Sequence, residues 1–242
     1  MKNIRLSLIA AAMILGCFIT AKAQTADEIV QKHLAAIGGE DNWKKINSIK
    51  MTGSMNAGGT ELPITITTVS GKGYRMEFTM NGMNNYMILT PTKGWMFFPI
   101  QGQQKAEAVP DEMVKESQDQ LDPSMNPLVD YKAKGNTVAY MGKDNVDGTD
   151  CFKLKITYKG GKEETMFLDA SNYYFIRSVE KTKANGKEQE STSNFSNYQK
   201  LPEGILFPMS IESDGGPITL KTVEINKPVD ESIFMPADDS KK

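Results

Sequence analysis

His33 is the one histidine of the chain, and chemistry built on it needs partners that the surrounding residues do not supply. A serine nucleophile would sit in a Gly-x-Ser-x-Gly elbow, and none is present. Zinc asks for three or four His, Cys or carboxylate ligands, so a single His and two Cys make a protein zinc site a poor expectation. His33 falls on the inward side of a helical stretch, where packing or capping is the simpler role. Cys151 opens an alternating strand and points with Lys153 and Lys155, which reads as a small residue at a strand edge rather than a nucleophile. Asp144, Asp147 and Asp150 surround Gly148 without the spacing of a calcium loop, and Asp147-Gly148 reads as a turn. The Gly-Gly pairs at 38, 58, 160 and 215 do not lie between a strand and a following helix at phosphate-loop spacing. Asp111 and Glu112 open a helix, where negative charge meets its positive end. The expectation is a protein that is not an enzyme and holds no metal or cofactor.

The remaining chemistry is apolar. Between Gly71 and Pro99, Tyr74, Met76, Phe78 and Met80 alternate with Arg75, Glu77 and Thr79, the period of a strand with one dry face. The turn Asn81-Gly82 follows, then Tyr86 to Leu89, the break Pro91 to Gly94, and Trp95 to Pro99. This stretch is expected to lay a continuous apolar surface on one side, lined by Tyr74, Met76, Phe78, Met80, Tyr86, Ile88, Trp95 and Phe97. Met51, Met55, Met76, Met80, Met83, Met87, Met96, Met166 and Met209 all fall in expected strands or their turns. Methionine is unbranched and polarizable, so a surface built from it conforms to irregular ligands. Each one alone also reads as core filler. Such a surface needs a cover, either short helices or a lipid-like ligand.

Elements that position this surface can be read from the ends and periods of the chain. Lys2 and Arg5, the apolar run Leu6 to Ile19 and the small-residue site Ala21-Lys-Ala23 predict a secretion signal over residues 1–23, with Gln24 as the mature start. A competing reading makes Cys17, in Ile14-Leu-Gly-Cys17, a lipidated anchor. The apolar run is too short to span a bilayer. Cleavage removes Lys2, Arg5 and Lys22, so the formal net charge moves from −2 to about −5. Arg75 and Arg177 are then the only arginines, a balance that argues against nucleic acid or an anionic membrane as the main partner. Loss of Cys17 leaves Cys151 alone, without an intrachain disulfide.

Thr25 and Glu28 form a capping box, and Ala26, Ile29, Val30, His33, Leu34 and Ile37 recur at helical spacing up to Gly38-Gly39. A short helical turn from Glu40 to Ile46 carries Trp43. Strand periods follow over Ile49 to Met55 and Leu62 to Ile66, and again from Phe152 to Tyr158, Met166 to Leu168, Tyr173 to Lys183, Lys187 to Tyr198, Ile205 to Ile211 and Ile218 to Ile225. Asn185-Gly186 is a strong two-residue hairpin signal. About ten or eleven strands, nearly all hairpin-linked, predict a mainly β fold with short helices, one strongly curved antiparallel sheet or open barrel. Val109 to Asp130 interrupts the strands with a helical stretch opened by Pro110 and ended at Asp122-Pro123, which can lie only over one face or at an edge. Neither a repeat nor a linker divides residues 24–242, so one domain is expected.

This order of elements resembles the periplasmic lipoprotein-localisation carriers of the LolA type. The resemblance rests on Tyr74 to Met80, on Lys93-Gly94-Trp95-Met-Phe97-Phe-Pro99, on Phe167 to Val179, on Phe207-Pro-Met-Ser-Ile211 and on Val223 to Pro236. It implies an incomplete β-barrel whose concave apolar side is lidded by short helices, with lipid or lipoprotein acyl chains bound between. It also implies a monomer in the periplasm that serves lipoprotein sorting and outer membrane biogenesis, with membrane-bound donor and acceptor proteins as partners. The founding carriers tie the lid with an arginine ahead of the aromatic strand; here Lys72 is the nearest basic residue and Arg75 lies within the strand. The competing expectation is a non-catalytic envelope interaction module whose sheet is filled by its own side chains.

Overall fold

The computed structural model describes residues 24–184 and 187–236. The leader with its Cys17 alternative and the Asn185-Gly186 turn lie outside the described residues. Thirteen strands among them form one sheet: β1 (Ser48–Ala57), β2 (Thr60–Val69), β3 (Gly73–Met80), β4 (Met83–Leu89), β5 (Gly94–Phe97), β6 (Glu107–Ala108), β7 (Thr137–Val146), β8 (Thr149–Thr157), β9 (Glu163–Asp169), β10 (Phe175–Ala184), β11 (Lys187–Lys200), β12 (Leu206–Ser213) and β13 (Gly216–Ile225). Their order is β6-β5-β4-β3-β2-β1-β13-β12-β11-β10-β9-β8-β7, antiparallel throughout. Sheet neighbours are successive in the chain everywhere except at the β1–β13 seam, where the first and last strands pair, Ile49 opposite Ile225.

That topology has a consequence for the middle of the chain. β6 and β7 follow one another in sequence yet form the two free edges of the sheet, so the residues between them must pass from one edge to the other. This crossing segment, residues 109–136, carries the short helix Asp111–Glu116 and a 3-10 turn at Gln118–Leu121. The expected helical stretch breaks at Ser117, and Val114 is buried while Met113 is exposed.

The sheet exceeds the ten or eleven strands expected because two elements leave little period to read. β6 is two residues long, and β7 is an edge strand whose alternation is broken by a register shift between Tyr140 and Lys143. Strand curvature is aided by a second shift at Thr52/Gly53 on the seam. Any β-carbon at Gly53 would stand 2.2 Å from the Thr219 carbonyl oxygen, so only glycine lets the two backbones close there.

The inner face is filled at one end by the N-terminal helices. Thr25 and Glu28 cap α1 (Ala26–Ala36) reciprocally, as the sequence predicts. Ile29, Val30 and Leu34 of α1 enter the main core with Ile37, and Trp43 of α2 (Glu40–Trp43) stacks on Phe207 at 6.1 Å while donating its indole N–H to the Ile37 carbonyl. The helix of the crossing segment is α3 (Asp111–Glu116). Val109, Val114, Leu128 and Val129 of the crossing segment complete that core against Ile49, Met51, Ile66, Leu89, Leu154 and Ile156. Each such aliphatic side chain contributes about 1.5–3 kcal/mol by leaving water. Two smaller clusters lie on the outer face, one around Ile88 and Phe234, one around Cys151 and Phe167.

Candidate functional site

The apolar strands divide the expected lining residues between two faces. Asn81 and Gly82 both have positive φ (52° and 75°), the hairpin turn that pairs Met80 directly with Met83. Even-numbered residues of β3 therefore stand opposite odd-numbered residues of β4: Met76 pairs with Met87 and Tyr74 with Leu89. Cross-strand partners share a face, and Met76, Met87, Tyr74 and Leu89 all join the main core. Tyr74, Met76, Phe78 and Met80 thus lie on the inner face.

Tyr86, Ile88, Trp95 and Phe97 lie on the other one. They pack with Val69, Ala106, Val229, Ile233 and Phe234, under a C-terminal strap. The expected continuous surface on one side is corrected by this register, since a shift of one residue exchanges the faces of a strand. The inner residues of β4 and β5 are instead Met83, Asn85, Met87, Leu89 and Met96, with Phe98 stacked on Phe78 at 6.2 Å. The two-residue turn at Asn81-Gly82 carried the signal for them, because its length alone sets which parity pairs.

Toward the hairpin end of the inner face, coverage thins. Met55, Met76, Phe78, Met80, Met83, Met87, Met96, Phe98 and Ile218 are half-buried, whereas Ile49, Leu89 and Leu128 are sealed. Gln118–Leu121 packs against β2 and β3, and Leu121 reaches the main core. Gln118 donates to the Thr90 and Val114 carbonyls, fixing the start of this turn over the end of β4.

On the opposite wall of the inner face, Phe152, Leu154, Met166 and Leu168 join the core, and a polar patch lies beside them. Ile156, Glu164 and Glu180 are successive cross-strand partners on β8, β9 and β10, with Ile156 in the core. Lys162, in the turn after β8, reaches Asp119 of the crossing segment at 2.9 Å and Glu180 at 3.0 Å. Tyr158 donates its hydroxyl to Glu164. Burial pushes the Glu164 carboxyl above the usual carboxylate range, and burial with the Glu164 charge pushes the Tyr158 phenol up as well. Burial alone would weaken the Lys162 ammonium, but Asp119 and Glu180 more than offset it and hold its pKa above the ordinary lysine value.

His33 is buried, and both of its ring nitrogens have partners. Its Nδ1 lies 2.8 Å from the Tyr173 carbonyl oxygen and its Nε2 3.0 Å from Asn126 Nδ2. A neutral ring donates through Nδ1 and accepts at Nε2, linking α1 to the β9–β10 turn and to the crossing segment. Burial drives its pKa down to about 4. Cys151 is fully buried among Val146 and Phe167 on the outer face rather than at an open strand edge. Its Sγ donates to the Thr149 carbonyl at 3.3 Å, and burial, with Asp169 nearby, raises its pKa. Among the described residues no three His, Cys, Asp or Glu side chains are grouped to hold a metal ion. A cleft of about 150 Å³ between α1 and the crossing segment is lined by Asp27, Val30, Leu34, Leu128, Tyr131 and Lys132. Sites that enclose a drug-sized ligand run to roughly 300–1,000 Å³, larger than this cleft.

Comparison with solved structures bears on this architecture. A LolA superfamily protein from Nitrosomonas europaea superposes with a TM-score of 0.54 at 11% identity, covering 88% of this chain and 98% of that one. A domain named for outer membrane lipoprotein sorting, from Vibrio parahaemolyticus, gives 0.51 at 14% identity, covering 86% and 94%. The fold is LolA-like. A DUF1329 family protein from Desulfovibrio piger shares it, with a TM-score of 0.50 at 15% identity over 88% and 98% of the two chains. No family model matches the sequence, and no curated protein matches it. In this LolA-like open sheet, Val109, Val114, Leu128 and Val129 of the crossing segment pack on the inner face.

Proposed function

We propose that the chain is a non-catalytic periplasmic carrier that holds a hydrophobic ligand, lipoprotein acyl chains or lipid, against the inner face of the open barrel beneath the crossing segment. In this reading residues 1–23 are removed on export, residues 24–242 form one LolA-like domain, and transport toward the outer membrane is the task. One observation carries it: the half-buried methionine-rich strip of Met55, Met76, Met80, Met87 and Met96 on the inner face, next to a covering segment. Each CH2 of an acyl chain buried there contributes about 0.8 kcal/mol, and flexible thioethers conform to it. Room for the chain comes from displacing the crossing segment and repacking these side chains. Tyr74, Met76, Phe78 and Met80 belong to this lining, joined by Met87 and Met96. Tyr86, Ile88, Trp95 and Phe97 serve the outer cluster.

Protein purified without detergent and examined by native mass spectrometry should carry or take up an acyl ligand. Met80→Ala and Met87→Ala should weaken uptake several-fold, while Phe97→Ala should leave it unchanged. Failure of the wild-type protein to take up any acyl chain would favour the envelope interaction module, a reading supported by the sealed packing of Ile29, Ile49, Leu89 and Leu128.

A further inference from the structure

We propose that the Lys162 cluster is a head-group subsite that receives a protonated amine borne on an acyl chain, an inference that rests on the carrier reading above. Acceptors outnumber donors at this place. Asp119, Glu164 and Glu180 present three carboxyl groups to one ammonium, Lys162, and two hydroxyls, Tyr158 and Ser178, both on Glu164. While Asp119 Oδ2 accepts from Lys162, its Oδ1 is buried without a partner among the described residues, and so is Oε1 of Gln120, the next residue. A buried oxygen left without a donor is costly, and a ligand that brings donors removes that cost.

Charge points the same way. Lys162 neutralises one carboxylate, so the group retains net negative charge even with Glu164 protonated. Glu164 and Glu180 stand directly opposite on β9 and β10, a like-charged pair that an additional cation relieves. An anionic head, phosphate or carboxylate, would meet repulsion from Asp119 and Glu180. A hydroxyl could donate but would leave the charge in place.

Position joins the cluster to the apolar strip. The turn Gln118–Leu121 packs on β2 and β3 while Asp119 within it holds Lys162 on the far wall. A chain lying along Met76 and Phe78 would therefore bring its polar end beside Asp119. Half-exposure of Glu180, at 33% of its side chain, leaves the group reachable from solvent.

The test uses three probes of equal chain length, hexadecylamine, hexadecanol and hexadecanoic acid, titrated below their aggregation limits against the delipidated full chain. The amine should bind roughly tenfold tighter than the alcohol, as expected for charge-assisted hydrogen bonds, and the acid weaker than the alcohol. Asp119→Asn and Glu180→Gln should each bring the amine to the level of the alcohol while alcohol binding stays unchanged, with thermal melting confirming the fold of both variants. Equal binding of amine and alcohol by the wild-type protein, or a preference that survives both substitutions, overturns the head-group subsite and leaves the carrier reading standing. Binding of none of the three probes overturns both.

Discussion

Lys162 Nζ stands 2.9 Å from Asp119 Oδ2 and so fastens the turn after β8 to the segment that spans the open side of the barrel. The same ammonium holds Glu180 at 3.0 Å, which makes one side chain the common partner of the sheet wall and its cover. In this chain a lysine from the second half of the sheet ties down that cover. Arg75, the arginine of the aromatic strand, is engaged elsewhere. It donates to the Ile233 carbonyl and to Glu77 and lies over the Tyr86 ring, all on the outer face.

Removing this tie should loosen the cover before it unfolds the barrel. Lys162→Met leaves Asp119 and Glu180 without their cation and should cost about 2 kcal/mol, less than a fully buried pair because both carboxylates are partly solvated. Amide exchange should accelerate in residues 118–130 more than in β1 or β13. Adding Asp119→Asn to that variant should return part of the loss. Uniform acceleration through the whole sheet would speak against a local tie.

His33 makes stability depend on pH in a defined window. Its folded pKa is lowered to about 4 from an ordinary 6.5, so between these values the unfolded chain binds a proton that the folded chain refuses. Stability is therefore highest above pH 6.5 and falls as the pH drops toward 4, by about 3 kcal/mol from this residue. Urea midpoints of the wild-type protein and of His33→Gln, measured from pH 7 to pH 4, should show the wild type losing the larger amount. Parallel curves would remove His33 as the cause.

Gly73 accepts the ring of Phe234 where any side chain would collide with it. A β-carbon there would lie 2.6 Å from Phe234 Cγ and 2.9 Å from the Leu89 carbonyl oxygen. Gly73→Ala should dislodge the strap around Asp230 to Phe234 at a cost of about 1–3 kcal/mol. Limited proteolysis within residues 229–236 should then speed up while inner-face ligand uptake is retained, because Gly73 and Phe234 belong to the outer side. A strap as protected as in the wild type would contradict this.

Cys151 should be silent toward a thiol reagent in the native protein. It is fully buried, and its pKa is raised by burial and by Asp169, so thiolate is scarce and access depends on opening. Labelling should follow the unfolding curve in urea, and Cys151→Ser, which puts a hydroxyl among Val146 and Phe167, should cost about 1–2 kcal/mol. Rapid labelling without denaturant would refute the burial.

Local physics made much of this protein readable from its residues alone. The capping box at Thr25 and Glu28, the alternation in the strands and the hairpin turns are set within a few positions of one another, and the curved, open, mainly β architecture follows from them. Even the inner parity of β4 was available, because a two-residue turn at Asn81-Gly82 dictates it. Contacts between distant residues were decided only by the tertiary structure. The seam that pairs Ile49 with Ile225, the Lys162 tie to Asp119 across 43 positions, and Phe234 as the cover for Ile88 have no periodicity to betray them. Pairing the first strand with the last leaves β6 and β7 as the two edges of the sheet, so the connection between them has to cross its hollow, and contacts along that route depend on residues far apart in the chain.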